Sequence, residues 1–135
     1  MRRWIFAYLG AAVVFAGLDA TWLTLTSATL YRPVLGQIML TSVRMVPAVA
    51  FYLVYLLGAV IFAVAPALEK GSWRAATLRG ALFGFFAYAT YDLTNQATLA
   101  VWATKITVLD LMWGTVVTAC GATAGYFAGK LGKPN

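Results

Sequence analysis

The chain has no histidine, a single cysteine and only four acidic residues among its 135. Without histidine, the commonest metal ligand, the usual ligand of haem and the most frequent general base are all missing. The lone cysteine, Cys120, excludes an internal disulfide. With no histidine to activate it or to complete a metal site, it makes a poor zinc or thiol-protease centre and reads as a small packing residue. Charged residues make up 10% of the chain against 62% hydrophobic, which lies outside the balance of soluble globular domains. Phosphate loops, nucleophile elbows, metal-spaced ligand sets and dinucleotide fingerprints are absent too, so neither a metal nor a cofactor is expected.

What is present is a series of long apolar runs with the charges gathered between them, the pattern of membrane spans. The net charge of +6 does not point to nucleic acid, because the basic residues stand at the ends of the apolar runs, where they meet lipid phosphates and set orientation. The opening Met1-Arg2-Arg3-Trp4 reads as a signal anchor that is kept. One domain over residues 1–135 is expected: an all-α integral membrane four-helix bundle with spans at about 4–24, 46–68, 80–104 and 107–129. Between the first two spans, Pro33 is expected to open a short interfacial helix, with Pro47 as the joint to helix two. Residues 69–79, with Lys70, Arg74, Arg79 and the turn pair Gly71-Ser72, read as a basic loop. The last connection is so short that helices three and four must be antiparallel neighbours.

Counting Lys and Arg by side sets the orientation. Cytoplasmic termini place Arg2, Arg3, Lys70, Arg74, Arg79, Lys130 and Lys133 inside and Arg32, Arg44 and Lys105 outside. Asp19 then lies about 24 Å along an outward helix and Asp92 about 20 Å along another, while Asp110 stands near the start of helix four. All three acids fall in the outer half. Burying a carboxylate in hydrocarbon is costly, so such residues face the bundle interior and often mark function. Asp92 shares a helix face with Tyr88 and Asn95, either as an inter-helix clamp or as a ligand or proton site. Asp19, with Trp22 one turn on, reads either as a site residue or as simply the partner of Arg44 or Arg32. Thr107-Val108-Leu109-Asp110 has the spacing of a capping box, with Trp113 one turn beyond as an interface anchor. The Asp-x-x-Trp of helices one and four hints at a repeat.

Gly114, Gly121, Gly125 and Gly129 on helix four, and Gly80 and Gly84 on helix three, form small-residue rows that let helix backbones approach, within the chain or between two copies. The aromatic cluster Phe83, Phe85, Phe86 and Tyr88 suits packing, lipid contact or the lining of an apolar pocket.

The block Tyr91-Asp92-Leu93-Thr94-Asn95-Gln96-Ala97-Thr98-Leu99, with Trp102 and then Asp110-Leu111-Met112-Trp113-Gly114-Thr115, resembles the DUF2177 family of small four-helix bacterial membrane proteins. Leu18-Asp19-Ala20-Thr21-Trp22-Leu23 and Tyr31-Arg32 extend the resemblance over nearly the whole chain. It implies four spans and a bacterial inner-membrane location, and transfers no activity. It also draws Asp19, Asp92, Asn95 and Asp110 together as one constellation.

Three functions fit these features. The first is a binding or accessory protein whose periplasm-facing polar pocket holds a lipid, isoprenoid or quinone-like head group, or which joins a larger membrane complex. The second is an intramembrane enzyme using Asp92 or Asp19 as acid on an apolar substrate, and the third is a dimeric proton-coupled exporter. Expected partners are membrane lipids, a second copy or a larger membrane-protein complex, and no nucleic acid. The orientation has a direct test: a C-terminal alkaline phosphatase fusion should be inactive and a C-terminal green fluorescent protein fusion bright. An active phosphatase would place the C-terminus outside.

Overall fold

The computed structural model describes residues 1–132, which are helical apart from short connections. Four long helices follow one another: α1 (Arg2–Leu35), α2 (Met45–Lys70), α3 (Trp73–Thr98) and α4 (Thr104–Leu131). By length and apolar composition α1, α2 and α4 can each cross a membrane. α3 has the reach, 26 residues or about 39 Å, but carries Arg74, Arg79, Asp92 and a row of threonines. Thr90, Thr94 and Thr98 turn outward and return their hydroxyls to carbonyls of their own helix, which lowers the cost of their exposure. Large apolar side chains such as Val13, Val54, Phe62, Phe86 and Met112 cover the outside of the bundle, a surface suited to lipid.

Helix one does not stop near residue 24, and Pro33 does not open a separate interfacial helix. α1 continues through one π-helical turn, Ser27–Tyr31, to Leu35. α2 has a second such turn, Val60–Val64, just before Pro66. Both turns end two residues ahead of a proline, and a proline ring lacks an N–H and clashes with the carbonyl four residues back. Widening that preceding turn to i−5 hydrogen bonds, as from Arg32 N–H to the Ser27 carbonyl, lets the helix pass the proline without breaking. Only residues 36–44 are left as a non-helical connection. Pro47 then lies in the first turn of α2, where its missing N–H costs nothing.

Two other boundaries move. The basic stretch is not a loop: Gly71, at φ 70°, ends α2 in the left-handed conformation, and Ser72 starts α3 at once by accepting the Ala75 N–H at 3.3 Å. Arg74 and Arg79 therefore stand on the first turns of α3. At the other end α3 stops at Thr98 and α4 begins at Thr104, so Asp110 lies in the second turn and caps nothing. Thr107 instead closes the hairpin, accepting from the Trp102 indole at 2.9 Å and donating to Gln96 at 2.7 Å. Lys133 and Pro134, expected to leave the membrane, lie outside the described residues.

α4 is the central helix, with α1 and α3 antiparallel to it on two sides. The glycine rows serve this packing within the chain. A methyl group added to Gly80 would lie 2.6 Å from the Ala122 Cβ, and one on Gly84 would collide with the Gly114 carbonyl. Across the other face, a methyl on Gly125 would lie 2.9 Å from the Ala7 carbonyl oxygen, and one on Gly129 2.9 Å from Leu68. α2 closes the bundle through Tyr55, whose hydroxyl meets that of Thr118 at 2.7 Å. Cys120 is not a packing residue, since it faces outward beside this stripe.

Because Gly84 has backbone against it and cannot yield, Gly84→Ala should destabilise the protein by about 1–3 kcal/mol. Gly17, with nothing near it, should accept alanine without loss. Thermal unfolding of both variants in neutral detergent checks this; equal melting temperatures would mean that the α3–α4 approach is looser than described.

Candidate functional site

Small residues hold the helices together toward the end that carries the N-terminus. Toward the other end the facing positions are filled by Trp22 and Tyr31 of α1, Tyr88, Tyr91 and Asp92 of α3, and Asp110 and Trp113 of α4. These side chains are too large for backbone contact, and a cavity of about 340 Å³ opens among them. Asp19, Trp22, Tyr31, Tyr88, Asp110 and Trp113 are on its wall. The continuation of α1 forms one side through Ser27 and Leu35, with Met39 of the following connection. Below it, Leu30 and Leu35 pack on Ile106, which ties this wall to the start of α4.

The two Asp-x-x-Trp motifs lie face to face, because α1 and α4 run antiparallel. Trp22 and Trp113 stack with ring centroids 4.7 Å apart and planes 8° from parallel. Asp19 is 7% exposed and receives two hydrogen bonds, from the Trp113 indole at 3.1 Å and from the Tyr52 hydroxyl at 2.5 Å. Asp110, also 7% exposed, receives a short hydrogen bond from the Tyr31 hydroxyl, which in turn accepts from the Trp22 indole at 2.9 Å. Each acid is therefore held through an aromatic donor, and each tryptophan supports the acid of the opposite motif. The hint of a repeat resolves into this reciprocal contact.

Asp92 stands apart. Its side chain is fully buried and faces the carboxyl of Asp110, yet neither of its oxygens has a donor. Two ionised carboxylates that face each other satisfy neither, whereas one proton held between them lets one carboxyl donate to the other.

Of the residues singled out in the sequence, Asp19, Trp22, Tyr88, Asp110 and Trp113 meet around one cavity, with Asp92 directly behind Asp110. Asn95 is half-buried one turn beyond Asp92 and outside the cavity wall. Arg44 does not join them: it is exposed at the start of α2, and Asp19 finds Tyr52 and Trp113 where an arginine partner was expected. Tyr31 and Tyr52 were not singled out as site residues. For Tyr52 the available signal was a phenol hydroxyl set, with Tyr55, in the most apolar helix of the chain.

A second cavity of about 400 Å³ lies against the first and shares Tyr88 and Tyr91 with it. Phe51, Tyr55 and Ala87 complete its lining, which is almost wholly apolar.

The family described as "Predicted membrane protein (DUF2177)" matches residues 4–127. The chain belongs to the DUF2177 family. The match spans all four helices and every cavity residue, so this DUF2177 member is a membrane protein by family as well as by surface, and the family's description assigns it no activity. No curated protein and no solved structure matches it.

Asp92→Asn puts an N–H donor opposite Asp110 and removes one of two facing acids, so it should stabilise this DUF2177 protein by about 1 kcal/mol. Tyr52→Phe strips Asp19 of a donor and should cost about 1–2 kcal/mol. Melting temperatures of the two variants should move in opposite directions. A loss of stability in Asp92→Asn would mean that the carboxyl is held by contacts other than those described.

Proposed function

We propose that this protein is a binding protein of the bacterial inner membrane, crossing it four times with both termini in the cytoplasm, and that its paired cavities hold one amphipathic ligand. The polar head sits among Asp19, Asp110 and the stacked tryptophans, and the apolar part passes Tyr88 and Tyr91 into the compartment of Phe51, Tyr55 and Ala87. The observation that carries this reading is the adjacency of the two cavities, one walled by carboxyls and indoles and the other by hydrocarbon and ring faces. Together they fall within the size range of small-molecule sites, and their unlike walls match a molecule with unlike ends.

The charge distribution supports a periplasmic opening. The cavity lies at the end that carries Arg32, Arg44 and Lys105, whereas Arg2, Arg3, Lys70, Arg74, Arg79 and Lys130 cluster at the other. α3 belongs inside the membrane on this reading, because its polar face turns to α4 and the cavity and its outward threonines are satisfied within the helix. A lipid, isoprenoid or quinone-like molecule fits the shape.

Mass spectrometry of the protein purified from native membranes should find a retained amphiphile that is depleted in Ala87→Trp, a variant that fills the apolar compartment from its half-buried wall. Wild type and variant carrying the same lipids in the same amounts would refute the reading.

A further inference from the structure

The chemistry of the head-group compartment is one-sided. Its wall has two carboxyls, Asp19 and Asp110, with Asp92 buried behind, and no lysine or arginine among the described residues lines it. An anionic head would need donors, and the strongest donors present are already committed. The Trp113 indole and the Tyr52 hydroxyl are spent on Asp19, the Tyr31 hydroxyl on Asp110, and the Trp22 indole on Tyr31. Besides the hydroxyl-bearing Ser27, Tyr88 and Tyr91, what the wall offers a guest is carboxylate lone pairs and aromatic faces. Both attract cations.

Behind the wall, Asp110 faces the buried carboxyl of Asp92 and not a base. One proton held between the two carboxyls lets one donate to the other and leaves the pair a single negative charge, so the wall keeps its attraction for a cation. Arg32 and Lys105, near in sequence to Tyr31 and Ile106, both point outward and leave that charge unanswered. No group of three ligating side chains suited to a metal ion occurs among the described residues, which directs the search toward an organic cation.

We infer that the ligand is a cationic amphiphile: an ammonium group received by Asp19 and Asp110 between the faces of Trp113 and Tyr88, carried on an apolar chain that occupies the Phe51–Tyr55–Ala87 compartment. This rests on the amphiphile reading above and narrows it, excluding anionic heads and ranking neutral ones below cationic. An amine-ended lipid head group and a free long-chain amine present the same ammonium to this wall.

The test is a titration of the purified full chain in neutral maltoside micelles, read by tryptophan fluorescence, with three probes of equal chain length: octylammonium, octanol and octyl sulfate. Octylammonium should bind about tenfold or more tightly than octanol, with octyl sulfate weakest. Asp110→Asn and Asp19→Asn should each reduce that preference, read as the ratio of octylammonium to octanol affinity. Ser27→Lys, which brings an ammonium of its own to the wall without touching the buried acids, should abolish it and guards against misfolding of the Asp variants. If octanol and octylammonium bind alike, the cation inference is wrong and the amphiphile reading stands; if none of the three binds, both fall. Competition by dihexanoyl phosphatidylethanolamine would assign the ammonium to a lipid head, and octylammonium binding without such competition would assign it to a free amine.

Discussion

Everything at the site follows from a gradient of side-chain size along one bundle axis. At the end holding the termini, α4 offers Gly121, Gly125 and Gly129 to the alanines of α1 and to Leu68 of α2. In mid-bundle Gly114 takes the ring of Tyr88 against its own backbone, and beyond it the facing residues are Trp113, Asp110, Trp22 and Tyr31. Where small residues face each other the helices meet at backbone distance, and where indoles, phenols and carboxyls face each other room is left between the side chains, which is the cavity. In lipid there is little hydrophobic force between helices, so the close end carries the association energy that lets the open end exist.

The same gradient explains how three acids survive in an apolar interior. None relies on a basic partner. Asp19 and Asp110 are held by aromatic N–H and O–H donors, which supply hydrogen bonds without adding positive charge. Trp22 and Trp113 are fixed by stacking on each other and Tyr52 by edge contacts with Phe15 and Phe51, so these donors are aimed before any guest arrives, and little ordering cost falls on binding. Asp92, behind the wall, has only Asp110 to face, and one proton held between the two carboxyls lets one donate to the other.

Much of this was legible in the residues. The helical class, the helix count and the antiparallel pairing of α3 with α4 followed from long apolar runs and a short last connection. The glycine rows marked the close-packed end, and Asp19, Trp22, Tyr88, Asp110 and Trp113 were all chosen as candidates before their meeting place was known. The boundaries were harder. Pro33 reads as the start of a new helix, whereas the structure passes it, as it passes Pro66, by widening one turn, an option that no local pattern announces. Arg74 and Arg79 suggested a loop because charge was read as an exit from the helix, whereas Gly71 and Ser72 end one helix and start the next in two residues. For Asp19, charge alone offers an arginine as one candidate partner. Its real partners, Tyr52 and Trp113, come from helices distant in the chain, and only packing brings them together.

The central claim is that the two compartments form one continuous binding site toward the end of the bundle remote from the N-terminus. An experimental structure determined in native lipid tests it most directly. Elongated density running from Asp19 and Asp110, past Tyr88 and Tyr91, to Phe51 and Ala87 is the expected result. Tyr88 and Tyr91 rotated into the space, with the compartments closed and empty, would contradict it.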